Sequence, residues 1–167
     1  MKGLEARYSD AMAEEPDPQT ARLEAVIGTW RTQGEVLGDD GETVVQTFSG
    51  TDSYEWLGRF FVIHRVDVMM GADHVQNLEV IGPYDRARGA FLTTVYDAAS
   101  GEVERSIATV DDAGVWTFHA GEGPSRAQSA LHVDEAGGYM RGTWSRTEDG
   151  ATWRPWMRLT LTRTAAP

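Results

Sequence analysis

A chain of 167 residues without cysteine fits one domain large enough to bury a core unaided by disulfide or metal, and its composition excludes a disulfide framework and a thiolate zinc site. Its 15 Lys and Arg stand against 26 Asp and Glu, a formal net charge of −11 at pH 7, which repels nucleic acid and anionic lipid and argues against both as partners. No apolar run reaches the ~18 residues that a membrane span needs, and the opening Met1-Lys2-Gly3-Leu4-Glu5-Ala6-Arg7 lacks the apolar core of a signal peptide. The expectation is a soluble cytoplasmic protein.

Residues 1–17 mix charged and small side chains with Pro16 and predict a flexible N-terminal tail, leaving 18–167 as a single folded domain. Asp17 can cap a helix with Pro18 at its first position, and Leu23, Val26 and Ile27 share one face before Gly28 stops it. Such a short amphipathic helix needs a partner to cover. Period-two alternation follows: Trp30, Thr32, Gly34 and Val36 on one face, Arg31, Gln33 and Glu35 on the other. Gly38-Asp39-Asp40-Gly41 is a turn signal, and 43–48 returns as a second strand. Ser49-Gly50-Thr51-Asp52 reads as a bulge before another strand at 53–57, and 60–70 is the longest β-rich run.

Turn signals then recur near Gly71, Gly89, Gly101, Gly114, Gly123, Gly137 and Gly150, with strands beginning near Val75, Ala90, Val103, Val115, Arg126, Tyr139 and Trp153. Pro155 falls at the start of the last strand, where a missing N–H is tolerated. The tripeptide Gly28-Thr29-Trp30 recurs as Gly142-Thr143-Trp144, but no fixed period runs through the chain. The pattern is a meander of about ten short antiparallel strands. It predicts an all-β fold, a closed up-and-down barrel that leaves no sheet edge exposed, with the short helix capping one end.

Gly28-Thr29-Trp30 at the start of the first strand resembles the Gly-x-Trp signature of the calycin superfamily, the lipocalins and their bacterial relatives. In that superfamily a basic residue of the last strand lies against the tryptophan. The resemblance implies such a structural pair here, and Arg163, in phase with Met157, Leu159 and Leu161, is favoured over Arg158 as the cation over Trp30. Further landmarks are 54–57 (Tyr-Glu-Trp-Leu), 60–67, 81–85 and 153–157. With them the chain is similar, over roughly residues 22–163, to an uncharacterised family of small bacterial calycin-like proteins known as a domain of unknown function. That resemblance implies a barrel and carries no activity. Nitrobindins share the small closed barrel and hold haem in it, but no matching haem-ligand motif is present. Fatty-acid-binding proteins and lipocalins share the architecture at greater distance, and architecture alone transmits no function.

Within 60–70, one face carries Phe60, Val62, His64, Val66 and Val68 and the other Phe61, Ile63, Arg65, Asp67 and Met69. If the first points inward, His64 is a titratable group among apolar side chains. It would then be a core histidine satisfied by a neighbour, a ligand contact or acid–base group, or a haem ligand. If the second does, Arg65 and Asp67 form an inward pair, where an exterior salt bridge is the plainer alternative. His64 and Asp67 point to opposite faces, and His119 and His132 are out of register, so no metal site is expected. There is no nucleophile elbow, and Gly121-Glu122-Gly123 lacks the lysine and helix of a phosphate loop.

Aromatic side chains are the stronger signal. Tyr54, Trp56, Trp116 and Trp144, with His64, are the expected ligand-binding residues, offering flat apolar surfaces with polar tips. A barrel filled by these same side chains is the open alternative. The leading functional reading is a cavity that binds a small apolar or aromatic molecule, without a cofactor, haem on His64 being a side alternative. The second is a cavity-templated enzyme, a cyclase or isomerase of the kind found in secondary metabolism, with His64 and Tyr54 as the catalytic candidates that handle protons. The third is a filled barrel serving as an interaction module or homodimer.

Overall fold

In a computed structural model, residues 15–121, 123–134 and 136–165 are described; most of the expected tail, residues 1–14, lies outside them. Asp17 begins the helix as expected, its carboxylate accepting the Gln19 N–H at 2.9 Å. The helix, Pro18–Val26, is of the 3₁₀ type, and Leu23, Val26 and Ile27 are all buried. A helix this short is not stable in isolation, and packing of its buried side chains holds it.

Ten strands follow: β1 (Gly28–Leu37), β2 (Val44–Leu57), β3 (Phe61–Met70), β4 (Asp73–Asp85), β5 (Ala90–Asp97), β6 (Val103–Val110), β7 (Val115–Ala120), β8 (Arg126–Val133), β9 (Tyr139–Thr147) and β10 (Arg154–Ala165). Each pairs antiparallel with the next and β10 pairs with β1, so the sheet closes into an up-and-down barrel. Closure leaves no edge to template aggregation. The acidic surplus has local work in the hairpins: Asp40, Asp97 and Asp149 each accept two backbone N–H groups of their own turn at 2.7 to 3.0 Å, the short-range bonding that favours aspartate in turns.

The expected bulge at Ser49–Asp52 does not occur. β2 is one strand through this stretch, paired residue by residue with β1 and β3, and the β1–β2 register shifts instead between Val36 and Leu37. Gly50 allows the close approach: a Cβ there would lie 2.1 Å from the Asp67 carbonyl oxygen. Asp52, expected in the bulge, points inward and is hydrogen-bonded there, so a polar run continues as strand.

The two ends of the barrel differ. At the end where β1 begins, the helix residues Leu23, Val26 and Ile27 join Trp30, Val62, Ile81, Phe91, Trp116 and Met140 in one buried cluster. Arg163 lies over the Trp30 ring at 4.0 Å, directly opposite it in the β1–β10 register. The Trp30 indole N–H donates to the Val26 carbonyl at 2.8 Å, tying the helix to the plug. Towards the other end the inner face includes a cross-strand row of Phe48, Gly34, Leu159, Gly142 and Leu131, running through β2, β1, β10, β9 and β8. Large residues lie over the two glycines, since a Cβ at Gly34 would meet the Phe48 ring at 2.0 Å. The wall is thin there, and space remains inside.

Candidate functional site

Strand period and register assemble a polar cluster at the middle of the barrel. His64 on β3 stands directly opposite Tyr54 on β2 and directly opposite Glu79 on β4. Asp52, two residues along β2 from Tyr54, reaches the same ring diagonally, as inward neighbours on adjacent strands do. The His64 Nε2 lies 2.7 Å from Asp52 Oδ1 and its Nδ1 3.0 Å from Glu79 Oε2. Thr32 on β1 donates its hydroxyl to the other Asp52 oxygen. The Tyr54 and His64 rings are stacked, with centroids 4.0 Å apart and planes 6° from parallel.

A carboxylate offers only acceptors, so two carboxylates on one ring require two N–H donors, which is the imidazolium. Burial is the largest influence on His64 and opposes its charge, but the hydrogen bonds and charges of Asp52 and Glu79 outweigh it and raise the pKa to about 9. Burial, and then the charges of Asp52 and Glu79, push the Tyr54 phenol well above its ordinary value, so it stays protonated. With both ring nitrogens committed, His64 has none left for a haem iron, and haem does not fit this cluster. Among the described residues no group of three or more His, Asp or Glu is arranged to hold a metal ion.

Above this cluster the barrel is hollow. A cavity of about 450 Å³ runs from Asp52, Tyr54, His64 and Glu79 to a mouth at Met70, Val75, Ala120, Ala127, Trp156 and Met157. That volume suits a small organic ligand. Its walls include Phe48, Val66, Val68, Phe118, Trp144 and Leu159. Among the described residues, the buried side-chain polar atoms without a hydrogen-bond partner are Asn77 Oδ1, Ser129 Oγ and Trp156 Nε1, and all three residues line this cavity. Buried polar atoms of this kind take hydrogen-bond partners, which a ligand's polar groups can supply.

The first face of 60–70 is the inward one. Tyr54, His64 and Trp144 line the cavity. Trp56 is instead packed against the closed-end cluster, its indole N–H donating to the Glu24 carboxylate at 3.0 Å. Trp116 is buried in that cluster between Phe91 and Phe118, with centroid separations of 5.7 and 6.2 Å. Arg65 and Asp67 face outward and do not pair with each other: Arg65 meets Glu55, and Asp67 meets His74 at 2.7 Å. Arg163 donates to the carbonyls of Gly137 and Ala25, at 2.5 and 3.0 Å, and of Ile27. Sequence reasoning passed over Asp52, Glu79, Asn77 and Ser129. Their signal was parity, since each lies on the same strand face as an apolar residue two places away: Tyr54, Ile81, Val75 and Leu131 respectively.

Residues 15–163 match the family described as "Protein of unknown function (DUF1579)". No curated protein matches. Two solved structures share the architecture. An S-type phycobiliprotein lyase from Guillardia theta aligns with a TM-score of 0.64 at 9% identity, covering 91% of this chain and 100% of that one. Rv2717c from M. tuberculosis aligns with a TM-score of 0.63 at 12% identity, covering 90% and 100%. At these identities the likeness is one of fold.

Proposed function

The chain belongs to the DUF1579 family, whose description names no activity, and we propose that it binds a small apolar or aromatic molecule in the open half of its barrel. One observation carries this reading: a cavity of about 450 Å³, largely apolar in its walls, in which the unpaired buried polar atoms of Asn77, Ser129 and Trp156 converge. Few, placed polar groups in an apolar cleft are what a specific small-molecule site requires. Tyr54, His64 and Trp144 are the contacts retained from the sequence, joined by Phe118 and Trp156. The acidic, cysteine-free composition supports a cytoplasmic setting for such a binder.

The reading of His64 as a catalytic acid or base has less support, because each ring nitrogen is already engaged by a carboxylate. The interaction-module reading has less support, because among the described residues the exposed large apolar side chains form only small groups, Tyr96 beside Val103 on β5 and β6 and Val44 beside Val45 on β2, with Leu57 at the other end.

Native mass spectrometry after exposure to a metabolite extract tests the proposal, with Ala127→Trp as the comparison because that side chain would fill the mouth. The expected result is a small-molecule adduct on the wild-type protein that is absent from the variant. Adducts equal on both, or on neither, would overturn it.

A further inference from the structure

The charges of the cavity are unbalanced in a way that selects its ligand. The lining carries three carboxylates, Asp52, Glu79 and Glu104, against the one imidazolium of His64, and neither lysine nor arginine is among the lining residues. An anionic head group entering this space would lose its water and meet carboxylates, the one cation, His64, being already held between Asp52 and Glu79, a strongly unfavourable burial. A protonated amine meets the reverse. It brings hydrogen-bond donors, and the buried acceptors without partners are suited to them: Asn77 Oδ1 and the oxygen of Ser129, a residue 3% exposed. Aromatic faces at Tyr54, Phe118, Trp144 and Trp156 attract the same cations through their ring quadrupoles.

The approach has the same sign. The turns and strand ends at the open end carry more acidic than basic side chains: Asp39, Asp40, Glu42, Asp97, Glu102 and Asp149 stand against Arg126, Arg146 and Arg154, and Arg146 is tied to Asp39 at 3.0 Å. A rim and interior that are both net negative concentrate counter-charged ligands. Building on the cavity reading above, we propose that the lumen is a site for organic cations, aromatic or alkyl amines in their protonated form, and that it rejects carboxylates such as fatty acids. Its polar cluster sets the preference: Asp52 and Glu79 share a single imidazolium, so one negative charge is left at the inner end of the cavity, and Glu104 adds another towards the mouth.

Three probes of one shape separate this inference from the reading it rests on: 2-naphthylmethylamine, 2-naphthylmethanol and 2-naphthoate, titrated calorimetrically into the full chain at pH 7 and low salt. The amine is expected to bind about tenfold or more tighter than the carboxylate, with the alcohol between, and added salt should narrow the gap. Glu104→Gln keeps an oxygen for its bond to the Gly121 N–H, now 2.9 Å, and should fold normally while bringing the amine and carboxylate closer by several-fold. Equal affinities for the three probes, or tighter binding of the carboxylate, would overturn the charge selection and leave the cavity reading standing. Binding of none of them would overturn both.

Discussion

Tyr54 and His64 lie face to face across β2 and β3, their ring centroids 4.0 Å apart and their planes 6° from parallel. The stack sits where the filled end of the barrel gives way to the hollow one, and a protonated imidazole over a phenol ring gains a cation–π contribution. Asp52 and Glu79 hold that imidazole from two sides, so the inner wall of the cavity rests on one ion cluster.

Removing the cation from this cluster leaves two buried carboxylates uncompensated. His64→Ala should therefore lower stability by about 3–5 kcal/mol, read from urea unfolding. Adding Asp52→Asn and Glu79→Gln to it should recover much of that loss, because the like charges go with the ring. A triple variant as unstable as the single one would show that packing, not charge, dominates here.

Acid and base should act on different parts of the fold. The His64 pKa is raised to about 9 from an ordinary 6.5, so its contribution is complete below pH 6.5 and is lost as pH rises through about 9. At the other extreme, the Thr43 hydroxyl and the Glu42 and Thr43 amides hold the Asp40 carboxyl down to about 2. The Thr152 and Ala151 amides, with the Thr152 and Thr147 hydroxyls, lower Asp149. Those contributions are present above pH 3.8 and disappear as pH falls through the lowered values. Melting temperature followed from pH 6 to 10 should decline in the wild type and flatten in a His64→Ala background.

At the closed end, Arg163 makes its cation–π contact with Trp30 and donates to three backbone carbonyls that join the helix, the β8–β9 turn and β10. Lysine cannot reproduce a planar fork of donors. Arg163→Lys should cost about 2–3 kcal/mol, with ligand binding little changed because the cavity lies at the other end. A loss below ~0.5 kcal/mol would reduce the plug to ornament.

The thin wall at Gly34 offers a way to alter the cavity without touching its polar groups. A methyl group there would overlap the Phe48 ring, which is the movable end of a side chain. Gly34→Ala should turn that ring into the lumen and weaken binding of 2-naphthylmethanol by about tenfold, while the circular dichroism of the barrel is retained. Unchanged affinity would mean that the ring moves outward instead.

Much of this was readable in the chain. The closed barrel followed from turns at near-regular intervals and from period-two runs such as Trp30 to Val36, because backbone pairing leaves little choice to a meander of that size. The Trp30–Arg163 contact was legible through the resemblance to calycins, with strand phase choosing Arg163 over Arg158. Register was not legible, and the polar cluster depends on it: nothing local to Asp52 says that His64 lies across from its neighbour Tyr54 or that Glu79 approaches from β4. Composition misled in one place, where Ser49 to Asp52 reads as a bulge although it continues as strand and the Asp52 carboxylate is hydrogen-bonded inside the barrel. Trp56 and Trp116 show the converse limit. An inward aromatic residue at the filled end is core, at the hollow end cavity wall, and periodicity does not distinguish the two ends.

The most direct test of a binding lumen is a ¹H–¹⁵N titration with 2-naphthylmethanol followed at the tryptophan indole N–H signals. The signals of Trp144 and Trp156, which line the cavity, should shift together and saturate, while that of Trp30, bonded to the Val26 carbonyl in the closed end, stays fixed. A saturating shift at Trp30 with Trp144 and Trp156 unmoved, or no shift at any of the three, would contradict it.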